Sequence, residues 1–211
     1  QPWDTMWCTS PSVRNALMTM YEEYADFLAG RFGGRDSKPR PFPDMPVIPL
    51  GIEVDEIQTR MAKPGDRQAL RAELNITEDE IVVLWVGRLS FFEKAHPSPM
   101  FLALEEAARR TGAKIRMLNV GWFPGGEQHR ELYEESARNH APSVTVDYHD
   151  GNDRSFVDRV WGAADVFISL VDNIQETFGI TPIEAMAAGL PVIMSDWDGY
   201  RASATNGVEG F

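Results

Sequence analysis

Cysteine is almost absent from this sequence of 211 residues. Cys8 is its single cysteine, so no disulfide can form within the chain. One unpaired thiol favours a reducing compartment, and we expect a cytoplasmic protein. The sequence also lacks a signal-peptide pattern and an apolar run of about 18 residues. These absences argue against a disulfide-stapled secreted domain, and the segment gives no indication of membrane association.

Positive charge is also scarce. The chain has 20 lysines and arginines against 32 aspartates and glutamates, which gives a formal net charge of −12. Binding to DNA or RNA needs a basic face, so we expect no nucleic-acid partner. A small polyanion remains compatible with this charge, because it needs only a few well-placed cations.

The sequence offers no ligand spacing typical of a metal site. Its four histidines are scattered along the chain. Asp196 and Asp198 have the spacing of a metal-binding aspartate pair, but they follow an apolar strand pattern. We interpret them as the turn at the end of that strand and predict no metal ion.

Residues 10–33 carry the pattern of a helix. Ser10 suits the cap, Pro11 the first helical position, and Gly33 or Gly34 the end. Apolar side chains at steps of three and four residues predict one buried stripe. The stripe comprises Val13, Leu17, Met20 or Tyr21, Tyr24 and Leu28.

A stretch with four prolines, residues 35–46, follows this helix and is typical of a linker. We place a domain boundary there, with residues 1–34 before it and residues 47–211 after it. Val47-Ile48-Pro49 predicts a short extended segment. The chain begins without an initiator methionine, and we expect it to be a piece of a longer protein.

From residue 66 onwards, helix and strand patterns alternate with short connections. The predicted strands are 81–86, 115–120, 144–146, 165–170 and 192–194; the predicted helices are 66–75, 99–111, 127–139, 153–164 and 182–188. For the helix 99–111, Ser98 is the expected cap and Gly112 follows the end. This alternation predicts an α/β fold with a doubly wound, Rossmann-like parallel sheet. Ligands of such sheets bind at the carboxyl ends of the strands.

The segment between the fourth strand and the next helix carries the first candidate site. Thr181, Pro182 and Glu184 fit a capping box, with Thr181 as the cap. The helix would then direct its free N–H groups towards the strand end, and such an end binds anions. Glu176, on the loop before it, could accept hydrogen bonds from hydroxyl groups. A capping box alone would also explain Glu184.

The exit of the first strand carries two cations. Arg88 follows Gly87 directly, and Lys94 lies six residues further. In a doubly wound sheet the exits of strands one and four open onto the same crevice, so both cations could face the helix end. A helix end contributes about 0.3–1 kcal/mol to anion binding. A charged hydrogen bond contributes about 1.5–3 kcal/mol. The side chains should therefore dominate a diphosphate clamp.

These motifs together resemble a known family. Gly87-Arg88-Leu89 with Lys94, and Glu176 and Glu184 on either side of Phe178-Gly179, look like the signature of retaining glycosyltransferase family 4. These are the group 1 glycosyltransferases of the GT-B architecture, and the resemblance runs from about residue 47 to residue 211. Ile48-Pro49-Leu50-Gly51-Ile52 is similar to the family's Pro-Asn-Gly-Val-Asp segment. Two positions depart from the family's pattern: Ala95 replaces a glycine, and Leu50 replaces an asparagine.

The resemblance implies a role for each matching residue. Arg88 and Lys94, after the turn at Gly87, would hold the donor diphosphate, and Glu184 would contact the ribose. Glu176 would contact the hydroxyls of the donor sugar and is the residue nearest to a catalytic label. The backbone N–H groups of Phe178, Gly179, Ile180 and Thr181 would complete the phosphate cradle, and the loop of His149 would lie near the base.

The resemblance also implies an activity. Such enzymes move a sugar from a nucleotide diphosphate sugar to a sugar, lipid or polysaccharide acceptor, with retention of anomeric configuration. The donor is a substrate, and no cofactor is implied. Residues 1–34 would be the remnant of an acceptor-binding N-terminal domain, which is the partner expected for residues 47–211. Alone, the chain should bind donor weakly and transfer nothing, and helix 10–33 should favour self-association.

Two other classes of function remain open from the sequence. An isomerase or a phosphorylase could use the same architecture, although a phosphorylase needs a lysine for pyridoxal phosphate and none is evident. A non-catalytic module would bind nucleotide sugars without turnover. Trp122 and Phe123, at the exit of the second strand, could border the donor or the acceptor.

Overall fold

The computed structural model describes residues 3–32, 42–61 and 66–211. The predicted helix end at Gly33 or Gly34 and the linker residues 35–41 lie outside the described residues. None of the helices in these ranges combines the length and the apolar character of a membrane-spanning segment.

A five-stranded parallel sheet forms the centre of the fold. Its strands are β1 (Glu80–Val86), β2 (Lys114–Gly121), β3 (Thr145–Asp150), β4 (Val166–Ser169) and β5 (Val192–Met194). Their order across the sheet is β3-β2-β1-β4-β5. The chain therefore moves outward from β1 to β3 and then returns to the other side of β1. This is the predicted doubly wound topology, and its switch point lies between β1 and β4.

Seven helices and one short 3₁₀ turn are present among the described residues. They are α1 (Pro11–Phe32), α2 (Val54–Met61), α3 (Asp66–Glu73), α4 (Ser98–Thr111), α5 (Gly126–His140), α6 (Arg154–Ala163), α7 (Ile180–Ala187) and the 3₁₀ turn Asp198–Ala202. All five strands agree with the sequence patterns, although β3 extends to Asp150. Helix α2 was not predicted.

The sheet separates two hydrophobic cores. On one face, Val83 and Trp85 of β1 pack in a cluster with residues of α4 and α5. On the other face, Val82 and Leu84 pack in a cluster with residues of α3, α6 and α7. This alternation explains why β1 has a continuous apolar pattern, since a strand covered on both faces must be apolar at every position.

Two predicted caps are wrong. Helix α7 begins at Ile180 with Gly179 as its N-cap, so Thr181 lies inside the helix and forms no capping box. Gly179 has a φ of 83°, which glycine adopts without strain, and this lets the helix begin two residues earlier than predicted. Helix α4 has Pro97 as its N-cap, and the Ser98 hydroxyl instead lies 2.9 Å from that of Ser136.

The buried stripe predicted for α1 is also wrong. Ser10 caps the helix as expected, because its hydroxyl accepts a hydrogen bond from the Val13 N–H at 3.3 Å. No residue of α1 is buried, however, and Met20 and Tyr24 are 65% and 62% exposed. Among the helices and strands, α1 has its main contact with the 3₁₀ turn Asp198–Ala202. The apolar positions therefore form a stripe that the described residues cover only in part, since Val13, Leu17 and Leu28 are half-buried.

The first residues pair with the segment before α2. Parallel bridges join Thr5 to Asp44 and Cys8 to Val47. Val47 therefore lies in an isolated bridge and not in a strand. The division into residues 1–34, a linker and residues 47–211 stays a prediction.

Candidate functional site

A cavity of about 380 Å³ lies at the switch point of the sheet. The exits of β1, β2 and β3 and the first two turns of α6 and α7 form its walls. Part of α2 closes one side. Its lining includes Gly87, Arg88, Lys94, Gly121, Trp122, Gly151, Arg154, Thr181, Glu184 and Arg60. Five residues predicted for the site thus line one cavity: Gly87, Arg88, Lys94, Thr181 and Glu184.

Lys94 and Glu176 join the loops after β1 and β4. The Lys94 ammonium lies 2.5 Å from a carboxylate oxygen of Glu176. Glu176 is buried, and its backbone carbonyl accepts a hydrogen bond from the Gly199 N–H at 3.0 Å. The predicted convergence of the two strand exits on one crevice is therefore confirmed.

Arg88 lines the same cavity but is engaged with a neighbour. Its guanidinium donates a hydrogen bond to Glu93 at 2.8 Å, and both side chains are roughly two-fifths exposed. Such a partly solvated ion pair contributes only about 0.2–1 kcal/mol. An anion in the cavity could therefore replace Glu93 as the partner of the guanidinium at a small cost in free energy.

The start of α7 supplies unpaired donors. No side chain caps the helix. Among the described residues, no hydrogen bond reaches the N–H groups of Ile180 and Thr181. A Cβ on Gly179 would lie 1.9 Å from the Tyr200 ring, so only glycine fits where the chain enters the helix. A helix start with free N–H groups is suited to an anion.

Beneath the cavity, the backbones at the ends of β1, β2 and β3 are in close contact. The Gly151 N–H donates to the Gly121 carbonyl at 2.9 Å, and the Gly87 N–H donates to the Val120 carbonyl at 3.0 Å. A Cβ on Gly121 would lie 1.8 Å from the Gly87 oxygen. The glycines thus allow close contact of the backbones and leave the space above them open.

Glu184 lines the cavity from the second turn of α7. Burial raises the pKa of its carboxyl, while the positive charges of Arg154 and Arg60 act in the opposite direction. The side chain therefore combines a partly desolvated acceptor with cationic neighbours. This environment is suited to hydrogen bonding with ligand hydroxyls.

Arg60 and Arg154 are cavity residues that the sequence analysis missed. Arg60 is paired with Glu56 at 2.8 Å and with Asp158 at 3.0 Å. Arg154 begins α6 and has no hydrogen bond or ion pair with any other residue that the structure describes. Arg60 lies in helix α2, and because the sequence pattern did not predict this helix, Arg60 was not recognised as a site residue. Arg154 could have been recognised from the sequence, because it lies at the start of the helix that follows the third strand.

Several predicted site residues do not line the cavity. His149 stacks on Phe156 with 4.6 Å between ring centroids, and burial lowers its pKa. Phe178 is buried, and Ile180 is exposed at its side chain. These residues can contribute backbone groups, and their roles stay predictions.

Trp122 and Phe123 differ in position. Trp122 lines the cavity. Phe123 packs in the core, with 5.4 Å between its ring centroid and that of Tyr133. Only Trp122 can border a ligand there.

Comparisons with known proteins agree with this architecture. The family model described as glycosyl transferases group 1 matches residues 66–211. A D-inositol 3-phosphate glycosyltransferase from Nocardia farcinica is 33% identical over 166 residues, which cover 78% of this chain and 35% of that protein. The chain thus spans about a third of the length of the curated relatives it matches.

Solved structures show the same fold. A glycosyltransferase from Rickettsia africae matches with a TM-score of 0.74 at 16% identity, over 99% of this chain and 48% of that chain. The Anabaena protein HepE, crystallised in complex with UDP-glucose, matches with a TM-score of 0.64 at 21% identity, over 99% of this chain and 49% of that chain.

Proposed function

The chain belongs to the family of group 1 glycosyltransferases, and we propose that it forms the part of such an enzyme that binds a nucleotide diphosphate sugar. The whole enzyme would transfer the sugar to a sugar, lipid or polysaccharide acceptor. The observation that carries this proposal is the convergence of Arg88, Lys94 and the start of α7 on one cavity.

The diphosphate would lie between the two cations and the start of α7. Arg88 and Lys94 can each donate charged hydrogen bonds, which contribute about 1.5–3 kcal/mol. The free N–H groups of Ile180 and Thr181 add the positive end of the helix dipole, worth about 0.3–1 kcal/mol. Support for this arrangement comes from the shared lining and from the absence of a side-chain cap on α7.

The two glutamates would recognise the hydroxyl groups of the donor. Glu176 is buried against Lys94, so its carboxylate is held close to one end of the diphosphate. This position suits an acceptor for hydroxyls of the donor sugar. Glu184, beside Arg60 and Arg154, suits the ribose. Trp122, Gly151 and Arg154 would then surround the base.

Stabilisation of the leaving group would drive the reaction. When the bond between sugar and phosphate breaks, negative charge develops on the diphosphate. Preorganised donors that meet this charge lower the barrier. We propose that Arg88, Lys94 and α7 supply this stabilisation without a metal ion. Transfer would retain the anomeric configuration, and no residue is assigned as a nucleophile.

The rest of the enzyme would complete the cleft. The relatives are about three times as long as the matched region, and the predicted acceptor-binding domain would face the donor site. The exposed apolar stripe of α1 is compatible with such a partner. The chain alone should therefore bind donor weakly and transfer no sugar.

Binding of nucleoside diphosphates tests the proposal. R88A and K94A should each weaken the affinity at least tenfold in isothermal titration calorimetry, since each removes a charged hydrogen bond. R109A is a matched control, because Arg109 is exposed on α4 and pairs only with Glu106 among the described residues. If R88A and K94A bind as tightly as the wild type does, the assignment of the diphosphate site is wrong.

A further inference from the structure

Asn173 connects three segments around the candidate site. It lies on the loop between β4 and α7 and is half-buried. Its side-chain amide N–H donates to the Lys94 carbonyl at 2.5 Å. Its side-chain oxygen accepts from the Gln175 N–H at 2.8 Å. Its backbone carbonyl accepts from the Trp197 indole N–H at 2.9 Å. One side chain thus joins the loop after β1 to the loop that carries Glu176.

The same two loops are also joined by the ion pair of Lys94 and Glu176. The two connections differ in what a bound ligand would do to them. A diphosphate would draw the Lys94 ammonium towards itself and weaken the ion pair. The bond from Asn173 reaches the Lys94 main-chain carbonyl, so it persists while the ammonium moves.

Asparagine has the hydrogen-bonding groups that this position requires. The position uses one donor and one acceptor on the same short side chain. An ionised aspartate keeps the acceptor but loses the donor, and it would place a negative charge against the Lys94 carbonyl. Alanine loses both groups.

We propose that Asn173 is a positioning residue that holds the main chain of Lys94 and the loop of Glu176 at a fixed separation. The diphosphate and the sugar of one donor molecule are then recognised together. This inference rests on the proposed function, in which Lys94 binds the diphosphate and Glu176 the sugar. Asn173 itself does not contact the donor.

The test compares a nucleoside diphosphate with its hexose derivative. Two pairs of ligands, UDP with UDP-glucose and GDP with GDP-mannose, are first titrated into the wild type by ligand-observed NMR. The pair that binds more tightly is then used for the variants. N173A should weaken the nucleotide sugar about tenfold and the free nucleoside diphosphate about threefold. The affinity for the nucleotide sugar should fall further because the displaced Glu176 no longer meets the sugar hydroxyls. N139A, on the exposed face of α5, is the control and should bind as the wild type does.

N173D supplies a readout that a merely structural role would not move. A protonated aspartate can donate to the Lys94 carbonyl and still accept from Gln175. As the pH falls from about 7.5 to about 4, near the ordinary aspartate pKa of about 3.9, the affinity of N173D relative to the wild type should therefore recover in part. The carboxyls of the wild-type chain titrate in both proteins and cancel in this ratio. N173A should show no recovery.

The outcomes separate this inference from the proposed function. If the wild type binds none of these ligands, the proposed function fails and the inference falls with it. If the wild type binds but N173A and N173D stay within twofold of it, Asn173 positions nothing. If both ligands weaken equally and N173D never recovers, Asn173 serves only stability, and the inference is overturned.

Discussion

The Lys94 ammonium meets the Glu176 carboxylate at 2.5 Å although 82 residues separate them in the chain. The sheet topology brings them together, since β1 and β4 are neighbours whose carboxyl ends face the same side. Glu176 is buried, so Lys94 provides a nearby positive charge for a carboxylate that water scarcely reaches. The pair therefore has consequences for stability as well as for ligand binding.

Removal of Lys94 should destabilise the fold. K94M leaves the buried Glu176 carboxylate without its cation, and an unpaired buried polar group costs about 1–3 kcal/mol. The double variant K94M/E176Q removes the charge as well and should regain part of this loss. Urea unfolding measures both free energies. If K94M alone is as stable as the wild type, the ion pair has no role in holding the two loops.

Removal of Glu93 should strengthen anion binding. Glu93 holds the Arg88 guanidinium at 2.8 Å. E93Q leaves Arg88 free to turn into the cavity, and the affinity for a nucleoside diphosphate should rise up to about fivefold, the scale of a partly exposed ion pair. Titration at low ionic strength checks this. E127Q is the control, because Glu127 is exposed on α5. An unchanged affinity for E93Q would show that Glu93 does not compete with the ligand.

Replacement of Glu184 should stabilise the chain near neutral pH. Burial raises the pKa of this carboxyl in the folded state. The folded state therefore holds the proton more tightly than the unfolded state. Stability falls as the pH rises through the interval between the two pKa values and stays lowered above it. E184Q removes this loss, so its melting temperature should exceed that of the wild type at pH 7 by about 1–3 °C.

The difference should vanish in acid, where the wild-type carboxyl is protonated in both states. Thermal melts of E184Q and the wild type from pH 3.5 to pH 8 measure it. A constant difference at every pH would mean that the amide acts through packing and that the burial of the charge has no effect.

Substitution of Gly121 should disrupt the floor of the cavity. A Cβ there would lie 1.8 Å from the Gly87 oxygen, and backbone on both sides leaves little room to move. G121A should lose more than about 2 kcal/mol of stability or fail to fold. G162A is the control, because a Cβ on this glycine of α6 meets nothing within 4 Å. It should gain about 0.5–1 kcal/mol from helix propensity. Equal stability of the two variants would contradict the close approach.

The sequence predicts the sheet well for a physical reason. Strands buried on both faces must be apolar throughout, and the helices between them repeat their apolar side chains every three or four residues. The pattern around β1, with Val82 to Trp85 buried, is an example. Topology then follows, because short connections between parallel strands leave few arrangements.

The errors arise where contacts with distant parts of the chain decide the outcome. The start of α7 depends on the left-handed Gly179 and on its contact with Tyr200, which no local pattern encodes. The α1 stripe has helical periodicity, but periodicity does not say what covers it. Arg60 was missed because α2 was not predicted.

The candidate site could be predicted from the sequence only in part. Lys94, Arg88 and Glu184 were identified from motif spacing, and the cavity brings them together. Asn173 was not identified, since its role depends on a contact with a carbonyl 79 residues earlier in the chain. A pattern of residue types does not reveal such a hydrogen bond.

A crystal structure with a bound nucleoside diphosphate would show whether Arg88, Lys94 and the start of α7 bind the diphosphate. The two phosphates should lie in the cavity at the switch point, within hydrogen-bonding distance of Arg88, Lys94 and the N–H groups of Ile180 and Thr181. A nucleotide bound elsewhere, or one in the cavity whose phosphates lie beyond the reach of both cations, would contradict it.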